Sequence, residues 1–420
     1  MRYFISTFGC QMNKSDSERI ARVLQNLGGK DVSSIKQADL IVINMCSVRQ
    51  SAVDRAYGLI RQLTNNLKNK NRKIILTGCI LQKDKEKLKG KVDLIFNIED
   101  LPGLPSLLNK PTEKVLRRKI HYLSLPPLLK SCFSAYVPIM TGCNNFCTYC
   151  VVPYTREREI SRPASEIIKE IECLHKKGYK EIILLGQNVN SYRDGKTDFP
   201  VLLEKINSLK GKFWLRFITS HPKDLSDRLI EVMAQGGKIT EYLHLPMQSG
   251  DEKILKKMNR GYTIEYYSNL IRKIREKIPG LNVSTDIIVG FPGETNKQFK
   301  NTAEAMKKIG FDMAYIARYS PRRDTSAAHL MDTVTNEEKK EREKYLTEIL
   351  KITALKNNEK YLDRMVEVLV EQNKKNVSWG KTRSFKNVKI DHPFPPGRFV
   401  KVKIVKVIPW RLEGLPWKPS

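Results

Sequence analysis

No stretch of this 420-residue chain is apolar for long enough to cross a bilayer. The opening MRYFISTFGCQMN carries no extended apolar segment ending at a small-residue cleavage site, so no secretory signal is expected there. Both absences point to a cytoplasmic protein with no membrane partner. Thiols stay reduced in that compartment, and cysteines more often bind metal or catalyse than form disulfides. Dinucleotide binding also lacks its mark: GFPGET at 290–295 does not have the glycine spacing of a Rossmann fingerprint after a first strand. Acidic residues are few, 45 against 75 Lys and Arg, for a formal charge of +30. That imbalance favours an anionic partner, either nucleic acid or a membrane surface, and fits ribosomal-protein association or simple solubility as well.

What is present is an alternation of apolar runs and helical stretches. RYFISTFGC, ADLIVINMC and RKIILTGC each read as a strand ending on a cysteine and followed by a helix, with VDLIFNI at 92–98 as a further strand. Strands so uniformly apolar imply a small parallel sheet covered on both faces, a first domain over residues 1–115. Proline, leucine and lysine then mark a crossing linker over about 100–131. Over 130–360, SAYVPIM, EIILLG, WLRFIT, EYLHLPM, VSTDIIVG and MAYIARY alternate with helical stretches such as 164–177, 224–235 and 263–277. Six such units predict a complete or partial β/α barrel with its chemistry at the strands' C-terminal ends. A charged helix from about 335 to 362 reads as a solvated connection. Residues 361–420 hold RMVEVLVEQ, NVSWGKT, KNVKI and RFVKVKIVKVI, the pattern of a small antiparallel barrel. From residue 360 onward 14 Lys and Arg face 5 Asp and Glu, which fits an RNA-binding module or lysines that guard edge strands. Lys381 and Arg383 stand there as candidate RNA contacts.

Cysteine carries the chemistry. Cys143, Cys147 and Cys150 form C-x3-C-x2-C among Gly142, Asn144, Asn145, Phe146 and Tyr149, a turn composition. Three thiolates ligate three irons of a [4Fe–4S] cubane and leave the fourth open. A zinc site would want a fourth Cys or His nearby, and the segment has none, so structural zinc or a purely redox cluster is the weaker reading. Cys10, Cys46 and Cys79 each end an apolar strand, 36 and 33 residues apart. A single core cysteine is usually inert. In a parallel sheet, however, these strand ends share the edge where open α/β folds place ligands, and three thiols there can meet on a second cluster. Cys132 and Cys173 read as structural or incidental.

With these motifs the chain resembles the radical S-adenosylmethionine superfamily and, over nearly its whole length, the methylthiotransferases. Within that family FGCQMNKSDSE, NMCSVRQSA, VVPYTR, LLGQNVNSY, RFITSHP, LHLPMQSG and STDIIVGFPGET are similar to the branch acting on tRNA isopentenyladenosine. The resemblance implies two [4Fe–4S] clusters, S-adenosylmethionine, and a C-terminal TRAM domain. It implies methylthiolation of C2 of N6-isopentenyladenosine at position 37 of tRNA, next to the anticodon, by a monomer. An electron donor and a sulfur donor are implied without being identified. Threonylcarbamoyladenosine in tRNA, a ribosomal-protein aspartate, and a non-catalytic RNA-binding iron–sulfur role are the alternatives. The chain departs from the branch at Met45 (usually Thr), Glu157 (Gly), Ile160 (Arg) and Arg323–Asp324, within SPRRDTSA in place of Pro–Gly.

By the same resemblance Tyr149 packs near the cofactor adenine, and Gly186, Gln187 and Asn188 hold its methionine end, though a loop turn explains that composition equally well. Ser220, His221, Gln248 and Ser249 follow further strands; His221 before Pro222 reads equally as a helix cap. Gly290 and Gly293 are expected to shape the adenine pocket. Arg49, Arg156, Arg158 and Arg162 are candidate grips on RNA, and surface ion pairs with Glu157 and Glu159 are the plainer alternative.

Overall fold

The computed structural model describes residues 1–65, 72–109 and 121–417. Its first layer is an all-parallel sheet in the order Lys30–Asp31, Arg2–Thr7, Leu40–Cys46, Lys73–Cys79, Leu94–Ile95. Every residue of Leu40–Cys46 is buried because side chains alternate between two covered faces. Leu40 and Val42 meet Ile20 and Leu24 of helix Gln11–Asn26. Ile41 and Ile43 meet Ala56 and Ile60 of helix Gln50–Asn65 on the other side.

The strand expected at 92–98 is only Leu94–Ile95. A 3-10 turn at Ile98–Gly103 and helix Leu104–Asn109 follow it. Leu101, Leu104 and Leu107 recur every third residue and are buried against the sheet, so the start of the expected linker belongs to the first domain's core. Residues 110–120 of that linker, with the end of the expected first domain, lie outside the described residues.

Six parallel strands then form the largest unit, in two triplets. Ser134–Pro138, Glu181–Leu185 and Trp214–Phe217 make one. Tyr242–His244, Asn282–Val289 and Met313–Arg318 make the other. Backbone bonds from Leu215 N to Lys238 O and from Thr240 N to Leu215 O join them. Among the described residues no strand pairing closes the first strand onto the last, so the barrel is partial. Local sequence sets the helix ends: Thr295 and Gln298 form a capping box on Asn296–Ile309, and Gly310 ends that helix in the left-handed conformation.

The first domain straddles the open seam. Met12 and Cys10 pack on Tyr136, Ile183, Leu185 and Ile218 at the barrel's first strands. Gln50 accepts a hydrogen bond from Arg322, and Lys83 pairs with Asp324 at 3.2 Å, both just past the last strand. The unusual SPRRDTSA segment is therefore a domain contact.

Helix Asn336–Glu359 is not the solvated connection its charge implied. Leu346, Ile349 and Leu350 join the barrel core, and Lys339 and Arg342 are buried in pairs with Asp332 and Glu294. The chain ends in a closed five-stranded barrel, ordered Met365–Lys374, Val377–Thr382, Asn387–Ile390, Arg411–Pro416, Phe399–Ile408. The fifth strand, RLEGLP, was masked by its Gly and Pro, and its pairing with Asn387–Ile390 is parallel in an otherwise antiparallel barrel.

That small barrel is bolted to the N-terminal end of the large one. Arg216, fully buried and paired with Glu181 at 2.7 Å, donates to the carbonyls of Arg383 (2.6 Å) and Thr382 (3.0 Å). Asn282 donates to Ser384 O at 2.6 Å, Phe385 stacks on Tyr242, and Lys386 pairs with Asp312 at 2.7 Å.

Candidate metal centres and cofactor site

Cys46 and Cys79 end adjacent strands in direct register. Cys10 caps helix Gln11–Asn26 beside them, and its thiol shares a hydrogen bond with that of Cys46. This bond, in which Cys46 donates, holds the Cys10 thiol down at about 6 and pushes Cys46 up. Burial pushes Cys79 up. Asn13 bridges two of them: its Oδ1 lies 3.5 Å from Cys10 Sγ and 3.9 Å from Cys79 Sγ. Its Nδ2 is fixed by Asn44 Oδ1 and Met45 O, each at 2.9 Å. Gly9 makes the approach possible, since a β-carbon there would stand 2.4 Å from Cys46 Cβ, at a φ of +125°.

The second trio lies on the loop after strand Met140–Thr141. Gly142, at φ +81°, turns the chain so tightly that a β-carbon would lie 2.0 Å from Arg158 O. The loop is then tied down: Cys143 N donates to Glu157 O, Cys150 N to Cys147 O, and Thr148 N to Met258 O. Asn259 holds the Asn145 and Phe146 carbonyls. Burial raises the thiols of Cys143 and Cys150, the latter to about 12. A residue that sequence reasoning missed completes this site. Arg260, buried, donates to Cys147 Sγ at 3.3 Å and to Pro246 O. Its only sequence signal is an N-R-G turn after a lysine-rich helix end.

No three His, Cys, Asp or Glu side chains among the described residues close on a single metal ion. A cubane takes one thiolate at each of three irons, so it does not need that convergence.

Around the barrel mouth several buried polar atoms have no partner within the protein: Gln187 Oε1, Asn188 Oδ1, Ser220 Oγ, His221 Nε2 and Gln248 Oε1. They sit past three successive strands. Thr219 and Gln248 hold φ of +73° and +67°, strained values for non-glycine residues that cluster at functional sites. Such a ring of orphaned donors and acceptors fits a polar ligand. His221 Nδ1 accepts from Lys223 N, so the residue is a cap as well as part of the wall. Burial, reinforced by Arg260 and Lys223, holds its imidazole down at about 2. Gly186 O accepts from Thr219 Oγ1 at 2.6 Å.

Tyr149 packs with Ile254, Met258, Phe291 and Tyr319. Gly293 lines an open cavity of about 420 Å³ beside the loop, with Thr148, Lys257 and Ser326. Gly290 instead donates to Glu294 and backs onto Lys339. Ser249 is fully buried, with its hydroxyl 3.3 Å from Thr302 Oγ1.

The radical SAM superfamily model matches residues 137–306, and that of the uncharacterized protein family UPF0004 matches residues 2–97. The tRNA-2-methylthio-N(6)-dimethylallyladenosine synthase of Thermodesulfovibrio yellowstonii is 43% identical over 98% of this chain and 97% of its own. The enzyme of that name from Clostridium tetani is 43% identical over 98% and 95%. The chain belongs to this synthase family. Membership of the radical SAM superfamily implies S-adenosylmethionine and a [4Fe–4S] cluster. The solved radical S-adenosylmethionine methyltransferase TsrM from Kitasatospora setae, with cobalamin and a [4Fe–4S] cluster bound, shares the fold at TM-score 0.57 and 12% identity. The match covers 78% of this chain and 73% of that one.

For a member of the synthase family, the arginines are distributed unexpectedly. Arg156 is not on an RNA-facing surface: it is 2% exposed and runs into the first domain. Arg162 is buried too, bonded to Pro138 O and Glu170, the carboxylate that also meets Arg19 of the first domain. Neither makes the surface pair with Glu157 or Glu159. Arg383 is spent on Glu241 and on the carbonyls of Gly237 and Ile239, so it fastens the small barrel to the large one. Lys381 lies over Phe385 at 3.7 Å and near Glu371. Arg49 and Arg158 are exposed, Arg158 resting 4.5 Å over Phe146.

Proposed function

We propose that the chain methylthiolates C2 of N6-isopentenyladenosine at position 37 of tRNA, in the cytoplasm, with two [4Fe–4S] clusters and S-adenosylmethionine used in two steps. The observation that carries this reading is the packing of Cys10 and Met12 on the barrel strands. It supports a chamber with one cysteine trio at each side, in a chain 43% identical to named synthases. Cys143, Cys147 and Cys150 would hold the cluster at the barrel mouth, and Cys10, Cys46 and Cys79 the second. Once bound, these groups supply hydrogen abstraction from an inert aromatic carbon and a methylated sulfur for that carbon.

The chain's own residues bind, orient and exclude water. Gln187, Asn188, Ser220 and Gln248 offer the unsatisfied polar atoms to which the amino, carboxylate and ribose groups of S-adenosylmethionine would bond. Neutral His221 leaves Nε2 available without adding charge. Tyr149, backed by the buried Phe291, would present the apolar wall for adenine, with Gly293 lining the adjoining cavity and Gly290 fixing the turn through Glu294. Arg260, donating to Cys147 Sγ, would offset the charge of that ligand sulfur once a cluster is bound. Exposed Arg49 and Arg158 would be the arginine contacts for RNA, with the half-buried Lys381 beside them in this role, and the basic small barrel adds attraction to phosphate.

The test is a nucleoside profile by mass spectrometry. Anaerobically reconstituted protein is given reductant, S-adenosylmethionine and tRNA carrying isopentenyladenosine without the methylthio group. The 2-methylthio derivative is the expected product. Deoxyadenosine without that product would overturn the substrate assignment.

A further inference from the structure

Arg156 belongs to the sequence of the radical SAM barrel but to the chemistry of the other domain. It follows the short helix Val152–Thr155, six residues after Cys150, and drives its whole side chain across the domain boundary. There Nε donates to Cys79 Sγ at 2.8 Å, Nη1 to Tyr122 Oη at 3.1 Å, and Nη2 to Asp16 Oδ2 at 2.5 Å and Asn13 Oδ1 at 3.5 Å. Asp16 and Tyr122 are fully buried, so the whole fork is dry.

The contact matters because the trio's own hydrogen bonds do not survive its use as a ligand set. As thiols, Cys10 and Cys79 donate to Asn13 Oδ1. As thiolates they can only accept. Asn13 Oδ1 then loses both donors and keeps Arg156 Nη2. Cys79 gains a need for a donor, and Arg156 Nε already supplies it. The guanidinium therefore fits the deprotonated, iron-bound state of this site better than the thiol state.

We infer that Arg156 is a positioning residue for the second cluster, a donor and counter-charge sent by the barrel domain to the Cys79 ligand. This rests on the assignment of Cys10, Cys46 and Cys79 to a cluster. Hydrogen bonds to ligand sulfur withdraw charge and stabilise the reduced form of an iron–sulfur cluster. The second site is thus complete only when the barrel is docked on it.

The test uses the full chain with Cys143, Cys147 and Cys150 all changed to Ala, so that only the first domain's thiols can hold iron. Reconstituted iron content and the cluster's midpoint potential, read by electron paramagnetic resonance, are compared for Arg156 and for Arg156→Gln, Arg156→Lys and Asp16→Asn. No iron with Arg156 in place would overturn the second cluster itself. With iron present, Arg156→Gln is expected to move the potential to more negative values. Arg156→Lys, which keeps a charge for Asp16 but loses the fork, should move it the same way. Asp16→Asn breaks the same ion pair and should not move it in that direction. In the otherwise native enzyme, Arg156→Lys should lower methylthiolation about 10- to 100-fold. A potential unchanged in both Arg156 variants, or lowered equally by Asp16→Asn, would reduce Arg156 to an ordinary domain-bridging ion pair and overturn the inference.

Discussion

At the scale of single residues, the two thiol trios make separable predictions. Cys147→Ala should abolish deoxyadenosine formation, measured by chromatography of the reaction mixture. Cys46→Ala should spare part of that cleavage and lose the methylthio product. His221 adds a pH dependence. Its folded value, about 2, lies below the ordinary 6.5, so the unfolded chain takes up a proton that the folded chain refuses. Stability from this residue is complete above about 6.5 and declines as pH falls towards 2. By about pH 5 the loss is up to about 2 kcal/mol, and the melting temperature of His221→Asn should drop less over that interval than that of the native chain. Glu157, where the resemblance leads us to expect glycine, holds a left-handed φ of +58°. Glu157→Gly should raise stability by about 1 kcal/mol in a urea titration. The grouping of the cysteines into two trios was legible in the sequence: Cys143, Cys147 and Cys150 share one loop, and Cys10, Cys46 and Cys79 meet at one edge of the first sheet. The arginines were not, because a guanidinium reads the same in sequence whether it meets RNA, Asp16 or a carbonyl.

At the scale of elements, the apolar runs form strands that end on Cys46 and Cys79 as expected, the first stops at Thr7, three residues before Cys10, and the six barrel units also form strands. Uniform burial leaves such strands no other state. Reading failed where burial arises from partners far away in sequence. The helix Asn336–Glu359 looked solvated because nothing local reveals that Glu294 waits for Arg342. The turn between Thr7 and Gln11 shows how finely an element end sets the site. Gly9→Ala would force the first strand's end away from Cys46, at a conformation alanine rarely adopts. This variant should lose about half of the reconstituted iron, counted per chain, while deoxyadenosine formation persists. Equal loss of both would mean that the trios do not assemble independently.

At the scale of the whole molecule, charge composition pointed to RNA without showing how much of it is committed to holding domains together. Arg19, Arg162, Arg216 and Arg383 all lie at such boundaries. Arg216→Ala strands Glu181 and two carbonyls in a dry interface and should cost about 3–5 kcal/mol in thermal or urea unfolding. Arg383→Ala, at a partly exposed pair, should cost less.

The loop from Thr382 to Asn387 has a consequence for traffic. With Arg216, Tyr242 and Phe385 packed at the N-terminal ends of its strands and the first domain lying across its seam, the barrel is covered at that end and along that side. A cofactor held by the polar side chains past the strands' C-terminal ends would then lie beneath any RNA bound across that mouth, and the proposed reaction would use the reagents bound before the RNA arrived.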